Sequence, residues 1–247
     1  MASGGRRSCP KWERAVPQQR SVRNRLLAKL SPEDFGLLGP HLQEVECDLR
    51  DFLIEANAPI ERVYFPENII ASVLANAQDG RIEVGIIGFE GLVGAAIVLG
   101  VGRSPYDFMV QAEGKALALP AEALRSATER SSTLRDLLTR FVHVLGVQTA
   151  STAHANASLP MEARLARWIL MTEDRLGPVE LPLTHDFLSM MLGVRRPSVT
   201  IAVHVLEGNG LIRAKRGRIT VLDRERLEEL AEGTYGLAEA EYASVLC

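Results

Sequence analysis

Six cations crowd one short stretch of an otherwise acidic chain. Arg195, Arg196, Arg213, Lys215, Arg216 and Arg218 stand between residues 195 and 218, opposed there only by Glu207, while the whole 247-residue chain carries a formal net charge of −3. An excess of five positive charges over so few residues sets a local field that suits phosphate. Polyanion binding follows that local field and not the total charge. A solvated basic face would contain the same residues, but the elements that carry them favour the phosphate reading.

Leu183-Thr184-His185-Asp186 reads as the start of a helix, with Thr184 as N-cap, Asp186 in the first turn and Gly193 as the stop. A second helix opens within a few residues at Arg195-Arg196-Pro197-Ser198, where proline is tolerated in the first turn. Its Val199, Ala202, Val203 and Leu206 follow the i, i+3, i+4, i+7 pattern of one buried face. Two short helices joined by a tight glycine-containing turn form a helix-turn-helix. Leu211–Ala214 and Arg218–Leu222 then read as a β-hairpin with Lys215-Arg216-Gly217 at its tip, a basic wing. At roughly 100° per residue, the second helix turns Pro197, Ile201 and His204 away from its buried face, with Thr200 beside them. Arg196 is the residue expected to read a base directly, because a guanidinium pairs bidentately with guanine O6 and N7. Ile201 would meet a thymine methyl, or stand as a single exposed aliphatic side chain.

Upstream, Ser132–Asn156 reads as a long helix. Leu134, Leu138, Phe141, Leu145, Gln148, Thr152, Ala155 and Leu159 alternate spacings of four and three, the seam of a coiled coil. A core-facing helix with an ordinary apolar stripe would carry the same residues. The strict alternation favours a homodimer seam, with Leu134, Leu138, Phe141, Leu145, Gln148 and Thr152 as its contacts. Ala121–Arg130 forms a helix before it and Met161–Arg175 one after it, with Trp168 on the buried face.

From about Val45 to Leu119 the pattern is one of short strands between turn signals, such as Asn57-Ala58-Pro59, Asp79-Gly80 and Glu113-Gly114. That spacing suggests a β-barrel or jelly roll. Arg25–Leu30 and a Ser31-capped segment read as two short helices before it. The organisation is therefore α+β: a disordered tail over 1–24, a β-barrel over 25–120 (a cyclic-nucleotide-binding-like sensor by the resemblance given next), a dimerisation helix over 121–158, a winged helix-turn-helix over 159–232 and a tail over 233–247.

This order, and above all the stretch LTHDFLSMMLGVRRPSVTIAVHVLEGNGLI (183–212), resembles the Crp/Fnr family of bacterial transcription regulators. The resemblance implies a homodimer that binds a palindromic site on double-stranded DNA, with RNA polymerase as a further partner. By position it places Arg196, Pro197 and Ile201 at base-contacting places of the recognition helix. The cAMP-responsive members have an acidic residue where Pro197 stands and an arginine where Ile201 stands, so a different operator is expected. Those members also bind the ribose with a Gly-Glu pair and the cyclic phosphate with Arg-Ser/Thr-Ala. Here Ala95 follows Gly94, and Arg103-Ser104-Pro105 keeps only the arginine and the serine near the phosphate place. Arg103 and Ser104 are the residues the resemblance offers for an effector, but cAMP itself is not expected.

Cys9, Cys47 and Cys247 lie far apart without a C-x-x-C pair, which fits a cytoplasmic protein and excludes a cysteine-ligated iron–sulfur cluster. His41, His143 and His154 offer no selected haem ligand. The longest apolar stretch, Gly91–Gly102, is too short and too glycine-rich to span a bilayer. No P-loop, G-x-S-x-G or H-E-x-x-H marks an enzyme. The competing reading is a ligand-binding interaction module without specific DNA binding, against which the basic wing and the arginines before Ser198 weigh.

Overall fold

The protein was analysed as a computed structural model, which describes residues 12–13, 17–77, 80–231 and 233–246. Side-chain caps fix the first helices. Asn24 accepts from Leu27 N to start α1 (Arg25–Lys29), and Ser31 accepts from Asp34 N to start α2 (Pro32–Leu38). Two antiparallel four-stranded sheets follow. One has the order β1-β2-β8-β4 and contains Trp12–Glu13 (β1), Gln43–Cys47 (β2), Arg62–Pro66 (β4) and Gly114–Pro120 (β8). The other, β3-β7-β5-β6, contains Phe52–Ile54 (β3), Ile70–Ala77 (β5), Gly80–Ile87 (β6) and Asp107–Ala112 (β7). The expected hairpin joins β5 to β6 in the register Ala77↔Gly80, and its Asp79 lies outside the described residues.

The sheets close on each other as a jelly-roll sandwich. Ile54, Val73 and Phe108 of one sheet share a buried cluster with Val63, Phe65 and Leu119 of the other. Helices α3 (Ala121–Arg130) and α4 (Ser132–Ser158) complete that cluster through Leu124, Leu134, Leu138 and Phe141. A Cβ on Gly91 would lie 2.5 Å from the Phe141 ring, so only glycine lets the sandwich approach the helix this closely.

This packing removes four residues from the expected dimer seam. Leu134, Leu138, Phe141 and Gln148 are buried within the same subunit, and Leu145 and Thr152 are half-buried beside them. Gln148 Oε1 accepts from Ile86 N of β6 at 2.7 Å. A four-three stripe marks which face of a helix is apolar; it does not say whether a second chain or the helix's own domain covers it. Burying each large side chain on that stripe contributes about 1.5–3 kcal/mol, enough to commit the face to the sandwich.

Both expected tails are also corrected over their described residues. Residues 17–24 are built into the sensor: Gln19 Nε2 donates to Leu30 O, and Glu67 accepts from Arg23 N and Asn24 N. Residues 1–11 and 14–16 lie outside the described residues. The C-terminal segment is a helix, α9 (Leu237–Leu246), whose Tyr242 and Leu246 enter the sandwich–α4 core.

After Leu159-Pro160 interrupts the helix, α5 (Met161–Leu176) starts the second domain. Leu165, Trp168 and Ile169 pack there with α6 (His185–Leu192), α7 (Arg196–Gly208) and α8 (Arg224–Leu230). Leu74 and Met109 of the sensor sheet belong to the same buried cluster, so the second domain is docked on the sensor.

Candidate nucleic-acid interface

The helix pair forms as its sequence dictates. Thr184 Oγ1 accepts from Phe187 N to open α6, and Gly193 closes it at φ 62°, a left-handed conformation that glycine takes without a Cβ penalty. Arg195 is the N-cap residue of α7, and Pro197 sits in its first turn. Val199, Ala202, Val203 and Leu206 are buried, as the spacing requires. The opposite side is open: Arg195, Arg196, Pro197, Ser198, Ile201 and His204 are exposed, and Ile201 is 62% accessible. Thr200 is half-buried because its hydroxyl bonds His185 Nδ1 at 3.0 Å, bracing α7 against the start of α6.

The wing is a two-stranded hairpin, β9 (Ile212–Lys215) and β10 (Arg218–Val221), with Lys215 paired to Arg218. Its two turn residues, Arg216 and Gly217, both have positive φ, 48° and 75°. Positive φ at both central positions matches the strand twist of a tight hairpin, but at a non-glycine residue it stores about 1–2 kcal/mol. That strain projects an arginine from the tip. Glu207 Oε1 accepts from Ala214 N and so fixes the wing to the end of α7. Between them opens a groove of about 580 Å³, bordered by Asp186, Arg196, His204, Lys215, Arg216 and Arg218.

All six cations noted in the sequence are exposed. Two face acids: Arg196 Nε lies 3.3 Å from Asp186 Oδ1, and Arg218 Nε lies 3.9 Å from Glu180 Oε2. Arg195, Arg213, Lys215 and Arg216 have no acidic partner among the described residues. Such a face, helix and wing together, presents donors to phosphate oxygens and a guanidinium to base edges. Asp186 and Glu180 were not identified as charge partners from sequence, since nothing in the spacing of either with its arginine announces a contact.

The sensor residues offered for an effector do not converge. Arg103 is exposed, whereas Ser104 is buried with its Oγ accepting from Tyr106 N at 3.1 Å. Gly94 faces Val63, Ile54 and Ile60, none of which would hydrogen-bond a ribose hydroxyl. These residues do not fit a cyclic nucleotide. Cys47 is buried, which pushes its thiol up to about 12, with Asp51 and Asp48 adding to the shift. No His/Cys/Asp/Glu group suited to a metal occurs among the described residues, and His143 is bonded to Glu241 at 2.8 Å. No helix among them is long and apolar enough to cross a membrane.

Comparison with known proteins agrees with this geometry. Residues 163–230 match the family of Crp-like helix-turn-helix domains. A protein from Eubacterium rectale assigned to the Crp/Fnr family of transcriptional regulators superposes with a TM-score of 0.66 at 16% identity, over 84% of this chain and 98% of its own. FixK2 of Bradyrhizobium japonicum gives 0.64 at 15% identity, over 76% and 96%. A CRP-family regulator of Thermus thermophilus gives 0.63 at 17%, also over 76% and 96%. At such identities the likeness is one of fold. No curated protein matches the chain in sequence. Residues 163–230 are a Crp-like helix-turn-helix domain, and the chain as a whole has the fold of the Crp/Fnr-family regulators on which it superposes. More narrowly, the chain joins a Crp-like helix-turn-helix to a jelly-roll sensor whose cyclic-nucleotide positions do not fit that ligand.

Proposed function

We propose that the protein binds a palindromic duplex site as a homodimer, each copy laying α7 in a major groove while the wing grips the adjacent backbone, and that the sensor conveys a signal to this arrangement. The observation that carries the reading is the open face of α7 beside four cations without acidic partners among the described residues. Arg196 reads a base; Lys215 and Arg216 hold phosphate; Arg195, Ser198 and Thr200 position the helix end; Ile201 and His204 line the groove.

The dimer uses the face of α4 that the sandwich leaves free. At about 100° per residue, Thr139, Gly146, Ala150, Ala153 and Ala157 lie on a flank about 60–120° round the helix from Leu138 and about 120–180° from Phe141. All five are exposed, and α9 covers a different flank through the His143–Glu241 contact. Their spacings of seven, four, three and four keep them on one stripe, and small side chains let two helix backbones approach closely. Two copies joined there would carry recognition helices to successive grooves, about 34 Å apart.

Selection of binding duplexes from a random pool, followed by titration over a salt range, tests the proposal. The expected result is a two-fold symmetric consensus bound at least ~1000-fold more tightly than random duplex. Weak, sequence-blind binding that vanishes at moderate salt would instead mark an interaction module. Adding cAMP is expected to leave affinity and thermal stability unchanged.

A further inference from the structure

One carboxylate is buried where the sensor meets the second domain. Glu83, on β6, is 5% exposed, and its Oε1 accepts the indole N–H of Trp168, on α5, at 2.6 Å. Its Oε2 has no hydrogen-bond partner among the described residues, and no cation there lies within salt-bridge distance of it. A buried carboxylate without an ion pair is costly when charged and tolerable when neutral.

The groups around it come from every element packed at this junction. Ser72 of β5 and Gln111 of β7 are neutral, with the Ser72 hydroxyl also reaching Met191 Sδ of α6 at 3.4 Å. Gln148 and Thr152 of α4 are neutral too. The charged neighbours are Arg164, Arg167 and Arg175 of α5, and each is engaged elsewhere. Arg164 donates to Asn156 and Leu192 O, Arg167 to Thr234 O, and Arg175 to Met171 O and Glu90. Glu239 lies beyond Arg167 and favours that guanidinium's charge. Next to this polar patch the contact is apolar and tight: a Cβ on Gly193 would lie 2.8 Å from Ile82 Cδ1.

We propose that Glu83 and Trp168 form a proton-operated latch between sensor and DNA-binding domain: protonated Glu83 keeps the domain docked on the sheet, and its ionisation loosens the docking. Burial pushes the Glu83 carboxyl up to about 7, although Ser72, Trp168, Arg167 and Arg175 all favour its charged form. Undocking would return it to water and to its ordinary value of 4.5. The docked state therefore binds the proton more tightly. Docking is strongest below about pH 4.5, weakens about tenfold per unit up to about 7, and is flat above that. Between pH 6 and 7.5 the docking constant falls about eightfold. Loosening frees the two recognition helices to change their mutual orientation, which gives the regulator a route to sense pH without a small-molecule ligand.

The test is hydrogen exchange on the full chain, without DNA, following amides of β6, α5 and α6 and correcting for the intrinsic rate at each pH. In the wild-type protein, protection across the junction is expected to fall about eightfold from pH 6 to 7.5. Glu83→Gln keeps an acceptor for Trp168 but cannot ionise, so its protection should not change over that range. Trp168→Phe removes a hydrogen bond that favours the carboxylate and should move the fall to higher pH. Protection that is flat with pH in the wild type, an undiminished fall in Glu83→Gln, or an unmoved midpoint in Trp168→Phe would each overturn the latch. Because no DNA is present, this outcome is independent of whether the helix-turn-helix reads a sequence.

Discussion

Arg196 Nε stands 3.3 Å from Asp186 Oδ1, joining the first turn of α6 to the first turn of α7 across open solvent. An exposed pair of this kind adds only about 0–1 kcal/mol to stability. Its larger effect is on binding, because the carboxylate competes with nucleic acid for the guanidinium. Asp186→Asn is therefore expected to tighten binding to every duplex severalfold at low salt, with the gain shrinking as salt rises. Fluorescence anisotropy at two ionic strengths measures this.

Arg196→Ala and Arg216→Ala should separate base reading from backbone grip. The first is expected to cost about 1–3 kcal/mol of discrimination at one base pair per half-site. The second should weaken all sequences alike and flatten the salt slope by about one unit. Arg216→Gly adds a further distinction, since it removes the positive-φ arginine at φ 48°. It should weaken DNA binding like the alanine variant while stabilising the protein by about 1 kcal/mol in thermal unfolding.

The two faces of α4 should respond differently to charge. Ala150→Glu places a carboxylate on the free face and is expected to give a folded monomer in sedimentation, with unfolding temperature unchanged at low protein concentration. Leu138→Glu buries a charge in the sandwich core and should cost more than about 3 kcal/mol, destroying the fold itself.

Tyr242 tests whether α9 is a working part of the core. Its hydroxyl donates to Glu90 O at 3.0 Å and its ring is buried against the sandwich–α4 core. Tyr242→Phe should cost about 1 kcal/mol, and Tyr242→Ala about 3–5 kcal/mol, in denaturant unfolding.

Much of this was legible in the chain because the signals are local. The Thr184 and Ser31 caps, the Gly193 stop and the 199–206 stripe each depend on residues within two turns, and the structure has each where the spacing put it. The strand run at 45–119 likewise folds as two sheets. The errors concern partners distant in sequence. The Leu134–Thr152 stripe is an apolar face in either reading, and only the sandwich, by offering Gly91 and Ile86, decides what covers it. The segment after 233 has too short and too mixed an apolar pattern to announce a docked helix, yet Tyr242 and Leu246 find a cleft waiting. Trp168 was readable as a core residue, but its bond to Glu83 spans 85 positions and leaves no trace in either neighbourhood.

The central claim is that two α7 helices, held at a fixed distance by the free face of α4, read one duplex together. Hydroxyl-radical footprinting on the selected site tests it most directly. The expected pattern is two equal protected half-sites centred about 10 base pairs apart, both lost together in Ala150→Glu. A single protected half-site, or full protection by the monomeric variant, would contradict it.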